Sequence, residues 1–391
     1  MRILVLAGGF PKPCEKTDGN YVFAQIKELS KIADVKVISP AMFLPYPFCN
    51  LRNMKRFSAP HEYQYDSIDV ISPKTLTYYN TSQYWWRFPN FFSKLYMMTV
   101  KRCVLKELKS KDYDAFYCMG SVLELGMVDA VKSEFSDLKI VYTEHSSAVA
   151  SNAAKFKQYR KFYESRLRSV DRVIFVSQRQ KKLIGQNILL TDKSVVLHNG
   201  FYAENVDTTG ADNERIKLIS VGFLEERKGY RITLSALAKL KNKGIDFEYA
   251  VIGDGRQRHE FEQLSSQLGL GDNVKFLGRL PHKSVLEQIN GSDIFVLPSW
   301  EESFGIVYLE AMSCGVPVIG TKNEGIADIV TDGDNGFLVE KKNSAELEAV
   351  LHKLMTDDVL RKSAGENGRK TAEKYTWEAN AKRLVEIIGD C

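Results

Sequence analysis

The sequence predicts two doubly wound α/β domains, each a parallel sheet with helices on both faces, facing one another across a cleft. Three observations predict it. Short β-branched runs alternate with amphipathic stretches along the whole chain. Most of those runs are almost continuously apolar, as strands buried on both faces must be. And 391 residues are more than one hydrophobic core ordinarily serves. Alternation of this kind implies parallel pairing with right-handed crossovers, twice over.

Taken in order, Ile3–Leu6 is a buried first strand that ends in Gly8-Gly9; its apolar run is too short for a signal peptide. Val35–Ser39, Val70–Ser72, Ala115–Met119, Lys139–Thr143, Arg172–Val176 and Val195–His198 follow as strands, with Tyr21–Ile32 an amphipathic helix between the first two. The polar stretch 202–213, YAENVDTTGADN, lacks periodicity and reads as a linker. Beyond it come strands at Ile216–Val221, Phe247–Ile252, Val274–Leu277, Ile294–Leu297, Val318–Gly320 and Phe337–Val339, with helices over Arg231–Lys243 and Gln257–Leu268. The expected division is 1–201, linker 202–213, 214–375, and a C-terminal helix in 376–391 that packs back on the first domain.

Composition narrows the function. Apolar residues are 44% and charged residues 26%, the mix of a folded protein rather than a disordered or fibrous one. No stretch approaches the ~18–20 apolar residues of a membrane span. The six cysteines form no C-x-x-C pair, which argues against a zinc site or a disulfide scaffold and for a reducing, cytoplasmic setting. The net charge of +5 hides an asymmetry: residues 1–185 carry 29 Lys+Arg against 17 Asp+Glu, the remainder 25 against 32. A basic half suits an anionic partner, either a phosphate-rich ligand or a membrane surface. No nucleic-acid motif accompanies it.

The most informative segment is Pro298–Thr321, PSWEESFGIVYLEAMSCGVPVIGT. Ser303 is the expected N-cap, Phe304 to Ser313 a helix, and Gly315 its C-terminal cap. The amides of Phe304, Gly305 and Ile306 then lack intrahelical partners and suit an anion. Gly305, without a side chain, lets a ligand approach the backbone. Glu302 before the helix and Glu310 within it could meet the sugar and the ribose of a nucleoside diphosphate sugar, with the diphosphate on the amides. A carboxylate accepts two bonds from a diol at once. The alternative is that both are helix acids complementing the dipole.

Glu302, Phe304-Gly305, Glu310 and the run Ala311-Met312-Ser313-Cys314-Gly315-Val316-Pro317 resemble the signature of family 4 glycosyltransferases (glycosyl transferases group 1). Val221-Gly222-Phe223-Leu224 with Lys228-Gly229, Val251-Ile252-Gly253-Asp254-Gly255, Phe276-Leu277-Gly278-Arg279-Leu280 and the Gly325–Val339 turn add to the resemblance. So, at isolated points, do Gly19, in the place of the family's glycine loop, and Asn199-Gly200. The resemblance implies the GT-B fold of two Rossmann-like domains, a retaining mechanism and no metal or other cofactor. It implies that Lys228 meets the donor diphosphate, Glu302 the donor sugar and Glu310 the ribose. Arg279 and Leu280 would lie beside the base, and His145, after the strand Lys139–Thr143, would face the donor sugar. His198 reads as a packing or turn residue. Two positions depart from the family pattern. Phe223 stands where an arginine is common, so Arg227 is expected to take part of that role; Asp328 is expected to replace a glutamate.

The implied activity is transfer of a sugar from a UDP- or GDP-type donor to a glycan or lipid-linked acceptor, in cell-surface polysaccharide assembly. A UDP-sugar 2-epimerase-like enzyme and a non-catalytic nucleotide-sugar-binding protein are the alternatives. Aromatics interleaved with basic residues over 41–110, among them Met42 to Phe48, Arg52, Lys55, Arg56 and Tyr84 to Phe88, suit an anionic membrane interface or an acceptor groove.

Overall fold

The computed structural model describes residues 1–13, 20–43, 54–55, 57–76, 91–120, 122–146, 148–202 and 215–391. Gly19, nearly all of the expected linker, and residues 44–53, 56 and 77–90 of the aromatic–basic stretch lie outside these residues. The chain divides into two compact units, Met1–His198 with Trp377–Cys391, and Asn199–Thr376.

The first unit holds β1 (Arg2–Ala7), β2 (Asp34–Ile38), β3 (Ala41–Phe43), β4 (Glu62–Tyr65), β5 (Ile68–Ile71), β6 (Lys74–Leu76), β7 (Ala115–Gly120), β8 (Lys139–Glu144), β9 (Arg172–Phe175) and β10 (Ser194–Val196). Eight of them form one sheet in the order β10-β9-β8-β7-β1-β2-β5-β4, parallel except for the antiparallel pair β4–β5; β3 and β6 pair separately. Successive side chains of a strand point to opposite faces. Accordingly Leu4 and Leu6 join one buried cluster while Ile3, Val5 and Ala7 join another. Trp377–Gly389 is a helix whose Ala381, Leu384, Ile387 and Ile388 enter the second of these clusters with Val22 and Ile26. Gln25 donates to Asn380 Oδ1 (2.7 Å), and Asn380 donates to the carbonyl of His198 (2.7 Å). Lys12, fully buried on the loop after β1, donates to the hydroxyls of Ser39 (2.8 Å) and Ser72 (3.1 Å), tying that loop to the ends of β2 and β5.

The second unit is a six-stranded parallel sheet of β11 (Ile216–Val221), β12 (Phe247–Ile252), β13 (Val274–Gly278), β14 (Ile294–Val296), β15 (Val318–Thr321) and β16 (Phe337–Val339), in the order β13-β12-β11-β14-β15-β16. β11 therefore stands between β12 and β14, and the strand order reverses at the β11/β14 gap. Loops at the carboxyl ends of strands flanking such a reversal bound a crevice. Here they are Gly222–Gly229 and Leu297–Gly305.

Candidate active site

The loop after β11 begins at Gly222, whose amide donates to the Ile252 carbonyl (3.0 Å), and ends in a short 3-10 turn, Glu226–Lys228. Gly229 closes the turn with φ +81°, and a Cβ there would sit 2.5 Å from the Pro298 carbonyl oxygen. Only glycine allows the two loops to approach so closely. Their backbones are joined: the Trp300 amide donates to the Arg227 carbonyl at 2.8 Å. Gly253, after β12, is placed the same way. A Cβ on it would fall 1.9 Å from the Gly222 carbonyl oxygen, and its own amide donates to the Gly278 carbonyl (2.8 Å). Three consecutive strand ends are thus locked to one another.

On that frame Lys228 and Glu302 meet as an ion pair, both side chains largely shielded from solvent. Glu302 is held from behind: its amide donates to Glu324 Oε2 (3.0 Å), and its carbonyl accepts from the Gly325 amide (3.3 Å). Glu324, itself buried, is a residue the sequence did not single out. Asp328, expected to take a family glutamate's place, lies a turn further on in the 3-10 segment Gly325–Asp328.

The helix after β14 starts later than its sequence suggests. It spans Ile306–Ser313, with Gly305 at the N-cap position in the left-handed region (φ +86°), so Ser303 is not its cap. Phe304 is buried, and the amides that open the helix belong to Ile306 and Val307 rather than to Phe304 and Gly305. The reason is local. Glycine accepts the left-handed turn readily, and a Cβ there would strike the Tyr308 ring at 2.7 Å. Tyr308 is buried below, with its hydroxyl on the Leu297 carbonyl and 3.1 Å from Ser299 Oγ. Glu310 faces outward from the next turn, and His282 Nε2 lies 2.9 Å from its Oε1. His282 also escaped the sequence reading; it is 28 residues from Glu310 and belongs to a different motif. Arg279 is exposed and Leu280 half-buried on the turn after β13 that leads to His282. Arg227 directs its guanidinium to Glu225 (2.8 Å) and not to Lys228's partner; Phe223 is exposed.

In the first unit a second group gathers at the carboxyl ends of β1, β7 and β8. Burial pushes the Glu144 carboxyl up to about 7, although the hydroxyls of Tyr142 (2.5 Å) and Tyr163 (2.7 Å) and the amide of Ser146 (2.6 Å) bond to it and partly oppose the rise; Glu124 adds to it. His145 lies against Tyr21 with ring centres 4.7 Å apart. Its Nε2 is enclosed with no hydrogen-bond partner among the described residues, and burial lowers its imidazole to about 4. The ring is therefore neutral at pH 7.

Comparison with known proteins agrees on both units. Residues 57–205 match the family model described as Glycosyltransferase Family 4, and residues 202–371 match Glycosyl transferases group 1. An uncharacterized glycosyltransferase of Methanocaldococcus jannaschii is 28% identical over 367 residues, covering 91% of this chain and 99% of that one. A D-inositol 3-phosphate glycosyltransferase of Corynebacterium jeikeium is 34% identical over 181 residues, but the match spans only 43% of that relative. Among solved structures, Anabaena HepE in complex with UDP-glucose superposes with a TM-score of 0.70 at 20% identity, over all of both chains.

Proposed function

The chain belongs to the family 4 glycosyltransferases, enzymes of the GT-B fold, and from that premise we propose that it is a retaining, metal-independent transferase using a nucleotide-sugar donor. The observation that carries the reading is the Lys228–Glu302 pair at the β11/β14 reversal, with Glu310 on the helix that follows. A crevice that presents a lysine, free helix amides and two carboxylates in sequence matches an anion flanked by two polyols. Lys228, with the Ile306 and Val307 amides, takes the diphosphate. Negative charge grows there as the glycosidic bond breaks, so these donors act most strongly in the transition state. Glu302 accepts from hydroxyls of the sugar, and Glu310 from the ribose. Without donor, Lys228 and Glu302 neutralise each other, which spares either from being a lone shielded charge. Gly222 and Gly253, whose backbones touch, bring the loops after β11 and β12 together beside the donor, Arg279 and Leu280 border the base, and Ser303 and Phe304 carry the chain into the helix. Arg227 would leave Glu225 to clasp the diphosphate in place of the arginine absent at Phe223. The family resemblance gives His145 a role toward the donor sugar.

The UDP-glucose complex of the HepE neighbour favours a uridine donor. For the acceptor we propose a glycan or lipid-linked sugar of a surface polysaccharide, reached at the inner face of a membrane through the basic first half. The test is a thermal-shift screen of UDP- and GDP-sugars, since a ligand at 100 times its Kd adds about 2.7 kcal/mol to stability. A hit followed by slow donor hydrolysis that leaves the anomeric configuration unchanged supports the reading. Binding without any turnover would return the chain to a sensor, and release of a C2-inverted free sugar to an epimerase-like enzyme.

A further inference from the structure

We infer that His282 is a positioning residue of the donor site: it fixes the Glu310 carboxylate in the orientation that reads the paired hydroxyls of a nucleotide's ribose. The inference rests on the role proposed for Glu310. His282 Nε2 is 2.9 Å from Glu310 Oε1. Glu310 Oε2, by contrast, accepts no hydrogen bond among the described residues, and the side chain keeps 15% of its exposure. One oxygen is anchored and the other is offered.

Both partners stand on rigid supports. His282 opens the helix His282–Asn290, which Val285, Leu286 and Ile289 bury against the unit. Glu310 rides on Ile306–Ser313, pinned by Tyr308, Leu309, Ala311 and Met312. Pro281, immediately before His282, sets the direction in which the chain leaves the Gly278-Arg279-Leu280 turn. A glutamate free to rotate must lose that freedom on meeting a diol, and the loss subtracts from affinity. The bond from His282 removes it beforehand. Imidazole donates from Nε2 either as the neutral tautomer or as the cation, so the anchor does not depend on protonation. The same turn carries Arg279 and Leu280, which ties the proposed base-side loop to the ribose carboxylate through one residue.

The experiment is calorimetric titration of the full chain with UDP, GDP and their 2′-deoxy counterparts, with thermal melts to confirm folding. The unaltered chain should bind its preferred ribonucleotide at least tenfold more tightly than the deoxy form. His282→Ala should weaken the ribonucleotide about five- to tenfold, within the net worth of an ordinary intramolecular hydrogen bond, and leave the deoxy form within twofold. His282→Gln, whose amide can donate to the same oxygen, should recover most of the loss. Lys283→Ala, on the exposed neighbour, should change neither. If Glu310→Gln abolishes the ribose preference and His282→Ala does not, the inference is overturned and the reading of Glu310 stands. An equal loss for both nucleotides, unrescued by glutamine, makes His282 merely structural. If the unaltered chain shows no ribose preference, the role of Glu310 fails first and takes the inference with it.

Discussion

Lys228 and Glu302 are each other's partners, and on our reading the donor parts them: its diphosphate draws Lys228 and its sugar hydroxyls Glu302. Lys228→Ala should lower kcat about 10²–10³-fold, the usual cost of removing a charged donor aimed at developing negative charge. Glu310→Gln should instead raise the donor KM more than it lowers kcat, because a ribose contact is alike in ground and transition states. Steady-state kinetics of the two variants separate the roles; identical profiles would return both to ordinary surface charges. Arg227→Ala should cost at least tenfold in kcat with Phe223→Arg restoring part of it. A loss under threefold leaves Arg227 with Glu225. EDTA should leave transfer unchanged, and a loss restored by Mg²⁺ would overturn metal independence. Glu302 and Glu310 could be singled out in the sequence because they stand just beyond an apolar run that must be a strand; Lys228 was singled out only through the family resemblance. His282 and Glu324 were not, because side-chain partnership between distant segments leaves no periodicity. Ser303 misled for a simpler reason: a serine before an apolar stretch is a common cap, but Gly305 accepts the left-handed turn and starts the helix two residues on.

Two adjacent residues at the end of β8 shift in opposite senses. Glu144, raised to about 7, keeps its proton in the folded chain over a range where the unfolded chain has lost it, so its contribution to stability falls as pH rises from about 4.5 to 7. His145, lowered to about 4, does the reverse: its contribution is complete above about 6.5 and is lost as pH falls toward 4. Between about pH 4.5 and 6.5 the two slopes oppose each other. Relative to the unaltered chain, Glu144→Gln should gain on the order of 2–3 kcal/mol from pH 4.5 to 6.5, and His145→Gln should lose a similar amount. Urea melts at the two pH values check both signs; parallel changes in the variants would show that neither residue titrates as described. The sequence placed His145 after a strand, but it could not show the tyrosine hydroxyls around Glu144, which come from β8 itself and from a helix about twenty residues later.

Every apolar run that announced the two parallel sheets is a strand in one of them. The alternation gave no warning of β4, whose Glu62-Tyr63-Gln64-Tyr65 is polar enough to pass for a loop and pairs antiparallel at the sheet's edge. Among the described residues no helix is long and apolar enough to cross a membrane. The membrane association we propose is peripheral and electrostatic, resting on the basic first half. Vesicles containing anionic lipid should retain the protein at low salt and release it as salt screens the attraction; equal recovery on neutral vesicles would remove it. The helix Trp377–Gly389 belongs to the first unit although the whole second unit precedes it in the chain. On a ribosome, then, the unit that is begun first is completed last. At ~5–20 residues per second, roughly ten to forty seconds separate the emergence of His198 from that of Trp377. Through that interval the surface around Val22 and Ile26 waits uncovered, while the later unit can close on itself. The apolar face around Val22 and Ile26 is thus made early and covered late, and it is there that a chaperone would find a long-lived target.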